Sequence, residues 1–258
     1  MESARAKKSL GQNWLRDEAA LNYIVQQADL DDSDFVLEIG PGRGALTQKL
    51  AEVSSQVLAI EIDQDLIAIL NKIQAHNLKI EQGDFLQFNL DQLPAGYKVA
   101  ANVPYYITSK IVQKLLTAEN RPSKIVLLVQ KEVAQRLAAG PGEYSVLGIS
   151  AQVYAQVELG VIVPAESFEP VPKVDSQVVI LNPKNRFNIK NEKVFFRAVK
   201  AGFSERRKKL RSSLAGGLHL SKPEVEDLLK RARVNSDLRA QDLSISDWLK
   251  ITDQLSKN

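Results

Sequence analysis

Residues 35–44, with the sequence Phe-Val-Leu-Glu-Ile-Gly-Pro-Gly-Arg-Gly, decide the fold of this chain. The apolar run 35–39 predicts a buried strand, which the first of three alternating glycines ends. An apolar pattern with helical spacing then resumes at Ala45. Strand, glycine turn and helix together predict the first βα unit of a nucleotide-binding sheet, because glycine allows a ligand to approach the backbone closely.

Acidic residues follow the next two predicted strands. Glu61 lies at the end of the run 57–60, at the position where such sheets hold a ribose diol. Asp84 follows the strand predicted at 77–81 and is a candidate acceptor for an adenine amino group. The glycine spacing is not that of the dinucleotide fingerprint, and no P-loop Lys-Ser/Thr follows. An adenosine-bearing cofactor without a pyrophosphate is therefore expected, and Glu38–Gly44 resembles the cofactor loop of S-adenosylmethionine-dependent methyltransferases.

The remaining apolar runs predict a large sheet followed by helices. Strands are expected at 97–101, 125–130, 153–163 and 174–181, and the proline-rich stretch 164–173 predicts a rigid loop rather than a strand. Only helical patterns follow residue 185. The predicted fold is α/β, a Rossmann-like class I methyltransferase with a seven-stranded, mostly parallel sheet and a small all-α C-terminal domain. The predicted domains are 1–184, which binds the cofactor, and 185–258, which is helical.

The composition excludes several other classes of site. The 258 residues include no cysteine and two histidines in unrelated segments, so disulfides, thiolate nucleophiles and a metal site are not expected. No apolar run is long enough to span a bilayer and no signal peptide is recognised, which predicts a cytoplasmic protein without membrane contact.

Charge is distributed unevenly along the chain. The net charge is +3, but residues 186–258 contain 17 basic and 9 acidic residues, whereas the part before them is net acidic. A basic region on an acidic body is typical of a polyanion-binding protein, although a solvated helical surface would give the same count.

The stretch Asn102-Val103-Pro104-Tyr105 follows the fourth predicted strand, at the same sheet edge as Gly40, Glu61 and Asp84. An adenine amino group is a poor nucleophile because its lone pair is delocalised into the ring. Two hydrogen-bond acceptors free that lone pair, and the Asn102 side-chain oxygen and a carbonyl of Val103 or Pro104 are the candidates. Proline fixes the backbone there, and Tyr105 offers a flat face on which the base stacks.

The motifs taken together resemble the rRNA adenine dimethyltransferase family over essentially the full chain. They are Lys7–Leu15, Glu38–Gly44, Asn102–Tyr105, Gly83–Phe85 and Phe168–Ser176, with Trp14 where Phe is commoner and Val103 where Leu is commoner. The resemblance implies dimethylation of N6 on two adjacent adenosines in the hairpin loop near the 3′ end of small-subunit rRNA. S-adenosylmethionine is the implied methyl donor.

The resemblance and the motifs give one set of expected site residues. The expected cofactor contacts are Asn13, Leu15, Gly40, Gly42, Glu61, Ile62, Asp84, Phe85 and Asn102. The expected catalytic residues are Asn102, Val103, Pro104, Tyr105 and Phe168, of which Phe168 closes on the second face of the flipped base. The resemblance also implies that the helical domain 185–258 binds rRNA, and the expected RNA contacts are Lys7, Lys8, Arg206, Arg207, Lys208, Lys209 and Arg211. The expected partner is small-subunit rRNA or a 30S precursor, bound by a monomer.

Three alternatives compete with this interpretation. The first keeps the chemistry but acts on a large-subunit rRNA adenine, as macrolide-resistance methyltransferases do. The second is a ribosome-assembly factor that acts mainly by binding. The third, an NAD-dependent enzyme, lacks the third correctly spaced glycine and an acid/base pair.

Overall fold

The computed structural model describes residues 5–184 and 187–256. The chain divides into two compact units, the first comprising residues up to 135 together with 154–184, and the second comprising 136–153 together with the residues from 185 onward. The sequence placed segment 136–153 in the first domain, whereas its contacts group it with the helical unit.

The first unit contains all the strands that the structure describes. They are β1 (Trp14–Leu15), β2 (Phe35–Ile39), β3 (Gln56–Glu61), β4 (Leu78–Gln82), β5 (Lys98–Asn102), β6 (Lys124–Gln130), β7 (Ala155–Val163), β8 (Phe168–Glu169) and β9 (Ser176–Pro183). Seven of them form one sheet in the order β4-β3-β2-β5-β6-β9-β7. Strands β2 to β6 are parallel, and β9 is antiparallel to both of its neighbours. The predicted seven-stranded, mostly parallel sheet is confirmed.

The strand order reverses between β2 and β5, because β3 and β4 extend the sheet to one side and β6 to the other. Ligands bind at such a switch point, outside the carboxyl ends of the strands. The turn after β2 begins at Gly40, and β5 ends at Asn102. The topology therefore brings the glycine loop and the Asn102 motif to the same crevice.

Helices cover the sheet of the first unit. They are α1 (Glu18–Ala28), α2 (Ala45–Val53), α3 (Gln64–Leu70) and α4 (Thr108–Thr117). The Asp17 side chain caps α1 by accepting a hydrogen bond from the amide of Ala20 at 3.1 Å. The fully buried Ile24 of α1 packs in one apolar cluster with Val36 and Val126 of the sheet. This burial fixes the sheet edge that carries the site.

A two-residue strand interrupts the proline-rich stretch that was predicted to be a loop. Phe168 and Glu169 form β8, which pairs antiparallel with β1. The loop prediction was therefore wrong at these two positions. Neither residue is a proline, so both keep the amide groups that pairing requires.

The second unit is built from helices. Its elements are α7 (Glu192–Gly202), α8 (Leu210–Leu218), α9 (Lys222–Arg231) and α10 (Ile245–Leu255), while α5 (Lys131–Ala138) and α6 (Val146–Tyr154) belong to it in part. Phe195, Leu214, Leu229 and Trp248 are fully buried in it. The sequence pattern did not predict α6, because its apolar residues run almost continuously and show no helical period. No helix among the described residues is long and apolar enough to span a membrane.

Candidate active site

A cavity of about 500 Å³ lies at the switch point of the sheet. The N-terminal segment, the glycine loop and the carboxyl ends of β3 and β5 form its walls. The structure brings together in this cavity every residue that was expected to contact the cofactor, namely Asn13, Leu15, Gly40, Gly42, Glu61, Ile62, Asp84, Phe85 and Asn102. Val103, Pro104 and Tyr105 line it as well.

The glycine loop needs glycine for two physical reasons. Gly40, Gly42 and Gly44 have φ values of 67°, 60° and 85°, a conformation that side chains with a Cβ rarely adopt. A Cβ on Gly42 would also lie 2.7 Å from Cδ1 of Trp14. The loop and the N-terminal segment can therefore pack closely only because no side chain stands between them.

Glu61 connects the glycine loop to the turn after β3. Its carboxylate accepts hydrogen bonds from the amides of Gly42 at 3.1 Å and Asp63 at 2.8 Å, and its side chain is buried. Burial raises the pKa of Glu61, while these amide hydrogen bonds oppose that rise. Since a carboxylate has about four lone-pair sites, Glu61 retains acceptor capacity toward the cavity.

Glu38 is the most deeply buried acid of the cavity wall. It is 1% exposed, and its Oε2 has no hydrogen-bond partner among the described residues. Burial raises the pKa of Glu38 to about 8, with a further contribution from the neighbouring charge of Glu61. The side-chain hydroxyl of the buried Thr47 acts on the same carboxyl and opposes this rise in its pKa. Buried polar atoms without partners indicate a place for a bound polar group.

The amide of Asn102 is held in a defined orientation. Its Nδ2 donates to the main-chain carbonyl of Asn13 at 3.0 Å. Because that carbonyl can only accept, the nitrogen of the amide must face it, which leaves the Asn102 Oδ1 on the other side as a free acceptor. The N-terminal segment thus orients the side chain at the centre of the predicted chemistry.

The structure narrows the choice of the second acceptor. The Pro104 carbonyl accepts hydrogen bonds from the Ile107 amide and the Thr108 hydroxyl, both at 3.3 Å. Within residues 5–184 and 187–256, no donor reaches the carbonyl of Val103. The Val103 amide donates to Leu128 of β6 at 3.3 Å, which anchors this peptide to the sheet. The free carbonyl is therefore that of Val103.

The two aromatic residues of the predicted catalytic set are placed differently. The Tyr105 hydroxyl lies 2.7 Å from the Ser176 Oγ, which fixes the half-buried ring at the cavity. Phe168 is 2% exposed and packs in a core cluster with Leu15, which lines the cavity, while Phe168 itself does not line it. Its ring is covered by the core in this conformation, and its role as a second stacking face stays a prediction. Tyr106, 59% exposed at the cavity, is an aromatic face that the sequence analysis did not single out.

Lys7 is engaged in a network instead of being free for RNA. Its Nζ lies 2.5 Å from Asp63 and 2.6 Å from Asp65. Gln12 donates to the other Asp63 oxygen at 2.6 Å and accepts from the Lys7 amide at 2.7 Å. Burial would raise the pKa of Asp63, but the hydrogen bonds from Lys7 and Gln12 hold it below its usual value. The expected RNA contact of Lys7 is therefore opposed by the structure, whereas Lys8 is exposed.

The predicted RNA contacts of the second unit also fall into two groups. Lys208 pairs with Glu205 at 2.5 Å, Lys209 with Asp237 at 3.0 Å and Arg211 with Glu226 at 3.2 Å. Arg206 and Arg207 are exposed, and no described acid pairs with either. Of the basic run, only these two arginines are available without breaking an ion pair inside the described chain.

Sequence reasoning missed the roles of three residues that line the cavity, Glu38, Trp14 and Tyr106, and of Asp63 in the turn beside it. Glu38 and Asp63 lie inside motifs that were quoted, yet their burial and partners depend on the fold. Trp14 packs its ring beneath the Arg43 guanidinium, whose carbon lies 3.8 Å from the ring centroid. Tyr106 follows Tyr105 directly in the sequence, and this position next to the motif was the only signal that could have predicted its place at the cavity.

The chain is similar to known proteins over nearly its whole length. A family model described as ribosomal RNA adenine dimethylase matches residues 3–257. The chain is 41% identical over 262 residues to ribosomal RNA small subunit methyltransferase A of Desulfitobacterium hafniense, an alignment that covers 99% of this chain and 94% of the relative.

Two solved structures are also similar. A dimethyladenosine transferase from Plasmodium falciparum has a TM-score of 0.81 and 29% identity, covering 94% of this chain and 97% of that one. The 23S rRNA methyltransferase ErmE has a TM-score of 0.74 and 27% identity, covering 95% and 100% of the two chains. On the family match and the 41% identity, the chain belongs to the ribosomal RNA adenine dimethylase family.

Proposed function

We propose that the chain uses S-adenosylmethionine to dimethylate N6 of two adjacent adenosines in the hairpin loop near the 3′ end of small-subunit rRNA. Membership of the adenine dimethylase family supports the reaction. The observation that carries the assignment in this chain is the pair of free acceptors, Asn102 Oδ1 and the Val103 carbonyl, beside a cavity walled by acids. The enzyme would act as a monomer in the cytoplasm, where ribosomes assemble.

The residues of the cavity fit S-adenosylmethionine. Glu61 would accept from its ribose hydroxyls and Asp84 from its adenine amino group. Asp84 accepts from the Leu86 amide at 2.9 Å through Oδ1, so its second oxygen is available. The unpartnered Glu38 Oε2 suits the ammonium group or a water that bridges to it. The glycine loop leaves room for close approach of the ligand to the backbone.

When bound, the cofactor supplies a methyl group on a positively charged sulfur, which is already a good electrophile. The protein must therefore raise the nucleophilicity of the adenine nitrogen and align it. Asn102 Oδ1 and the Val103 carbonyl each accept one N–H of the amino group, which moves the nitrogen toward sp³ geometry and frees its lone pair. Tyr105, fixed by Ser176, gives the ring a stacking face, and this alignment carries most of the rate gain.

After the first transfer the nitrogen has one N–H left, so a single acceptor suffices to orient it for the second. Neither Asn102 nor the Val103 carbonyl has to change its protonation state in this scheme. No strong general base is required, because methylation makes the nitrogen cationic and acidic, and it then releases its proton to solvent water. The absence of a suitably placed histidine in the cavity wall is consistent with this requirement.

The choice of small-subunit rRNA rests on the relatives. The curated relative at 41% identity is named for the small subunit, whereas ErmE, named for 23S rRNA, is 27% identical. A role in assembly by binding is compatible with catalysis, and the two separate in a variant that binds RNA but does not turn over.

One experiment tests the proposal. Small and large subunits that lack the modification are incubated with the protein and methyl-labelled cofactor, and the labelled nucleotide is mapped. We expect two dimethylated adenosines near the 3′ end of small-subunit rRNA and no label on the large subunit. Label confined to a large-subunit adenine would favour the resistance-type activity instead.

A further inference from the structure

The exposed face of α7 carries three cations in one row. Lys193, Arg197 and Lys200 follow the spacing i, i+4, i+7, which places their side chains in one sector of the helix. All three are exposed, whereas Phe195, Ala198 and Val199 on the other side are fully buried. At a rise of about 1.5 Å per residue the row is roughly 10 Å long. We call Lys193, Arg197 and Lys200 the α7 row.

The α7 row is not neutralised by neighbouring acids. No carboxylate of the described residues lies within ion-pair distance of any of the three side chains. The single acid of α7 is Glu192, at the first position of the helix, where negative charge is favoured by the helix dipole. On α9 and α10, Arg231 pairs with Asp227 and Lys250 with Asp247. The exposed Lys222 and Lys230 of α9 have no acidic partner among the described residues, but they lie at opposite ends of that helix and form no row.

The neighbouring basic run shows why this difference matters. Lys208, Lys209 and Arg211 each have an acidic partner in the chain. A cation in an ion pair must give up that partner before it gains a phosphate, so its net contribution to RNA affinity is smaller. An unpaired cation releases a condensed counterion from the RNA without losing a contact in the protein. The α7 row and the arginines at 206 and 207 are therefore the better phosphate ligands.

We propose that the α7 row binds the phosphate backbone of the substrate rRNA. This inference rests on the proposed function, which supplies an rRNA as partner. The row has one sign of charge and donors only, as contacts to successive phosphates require. Such contacts set affinity and register and carry no base specificity. The α7 row was absent from the residues expected to bind RNA.

The test compares two triple variants that remove the same charge. Lys193→Gln, Arg197→Gln and Lys200→Gln remove the α7 row, while Lys208→Gln, Lys209→Gln and Arg211→Gln remove the paired cations. Dissociation constants are measured for unmethylated small subunits and for protein-free small-subunit rRNA, between about 50 and 200 mM salt. We expect the α7 triple to lose about 10-fold or more in affinity and to reduce the salt slope by about 2 to 3. The control triple should change both quantities less.

Three outcomes would overturn the inference. The first is a control triple that loses as much RNA affinity as the α7 triple. The second is an α7 triple whose salt slope equals that of the wild type. The third is a loss of affinity for subunits but not for protein-free rRNA, which would assign the α7 row to a contact with a ribosomal protein. Circular dichroism melts check that both triples fold. If the α7 triple does not, the three single glutamine variants replace it, each reducing the slope by about 0.8. Methylation of small subunits by the wild type, measured on the same samples, tests the proposed function separately.

Discussion

The cavity of the first unit and the α7 face of the second use charged side chains in opposite ways. Glu38 and Glu61 line the cavity and are buried, as is Asp63 in the turn after β3. Glu61 and Asp63 are held by amide, lysine or glutamine donors. On α7, the three cations are exposed and have no acidic partner in the described chain. Fixed, desolvated groups suit the positioning of one small molecule, whereas exposed cations suit a long polyanion whose contacts are individually weak.

Changing Glu61 should have the largest effect on the cavity side of this comparison. Glu61→Ala removes the acceptor of two backbone amides and the proposed ribose contact, each worth about 1 to 3 kcal/mol when buried. Cofactor affinity should fall at least about 100-fold and methylation with it, as isothermal titration and a turnover assay would measure. Affinity for rRNA should be unchanged. Retained methylation would show that the cofactor assignment is wrong.

Substitution of Asn102 should affect the methylation rate more than the affinity for the cofactor. Asn102→Ala should lower the methylation rate by roughly 100-fold, the size of effect seen when one fixed hydrogen-bond partner of a transition state is lost. Cofactor affinity should fall much less. Equal losses in rate and affinity would argue against the acceptor role. Asn102→Asp is the matched variant: it keeps an acceptor oxygen but cannot donate to Asn13, so an intermediate rate is expected.

Glu38 should make the stability of the folded chain depend on pH. Its carboxyl is protonated more readily in the folded chain, because burial raises its pKa from the ordinary 4.5 to about 8. The contribution of Glu38 to the free energy of unfolding is therefore fully present below pH 4.5. It is lost as the pH rises from there to about 8, by roughly 1.4 kcal/mol per pH unit.

Glu38→Gln should remove this dependence. Urea unfolding at about pH 5.5 and pH 8, without cofactor, should show the wild type losing stability relative to the variant as the pH rises. Glu52→Gln, at an exposed position, is the matched control. Parallel pH profiles of the wild type and Glu38→Gln would contradict the effect of burial.

The Lys7→Met substitution should have the smallest effect on methylation. Lys7→Met breaks the ion pairs that hold the N-terminal segment against Asp63, and a half-exposed pair is worth little. Because that segment orients Asn102 through Asn13, kcat should fall about 2- to 5-fold while rRNA affinity is unchanged. Lys8→Met is the matched control. If Lys7→Met weakened rRNA binding and left kcat unchanged, the lysine would be an RNA ligand as first expected.

The sequence predicted the sheet because its signals are local. The run 35–39 and the glycines after it specify a strand and a turn without reference to the rest of the chain. The same holds for Asn102-Val103-Pro104, whose position after a strand located the crevice. The surroundings of Phe168 and Lys7 depend on long-range packing that no local pattern shows: Phe168 is covered by the core, and Lys7 meets an acid 56 positions away. Their proposed contacts with the base and with RNA stay predictions.

The sequence pattern likewise could not predict which cations form ion pairs. Lys209 and Asp237 are 28 positions apart, so nothing local distinguishes this paired lysine from the unpaired Lys200. Segment 136–153 shows the same dependence: its apolar residues were compatible with the first domain, but its contacts lie in the helical unit. The domain boundary at 184/185 remains a prediction.

The most direct test of the central claim is a crystal structure of the protein with an unreactive cofactor analogue and an adenosine of the target hairpin. We expect the adenine N6 to lie about 3 Å from both Asn102 Oδ1 and the Val103 carbonyl, with the cofactor ribose beside Glu61. An adenine held elsewhere, or one that meets the Asn102 nitrogen instead of its oxygen, would contradict it.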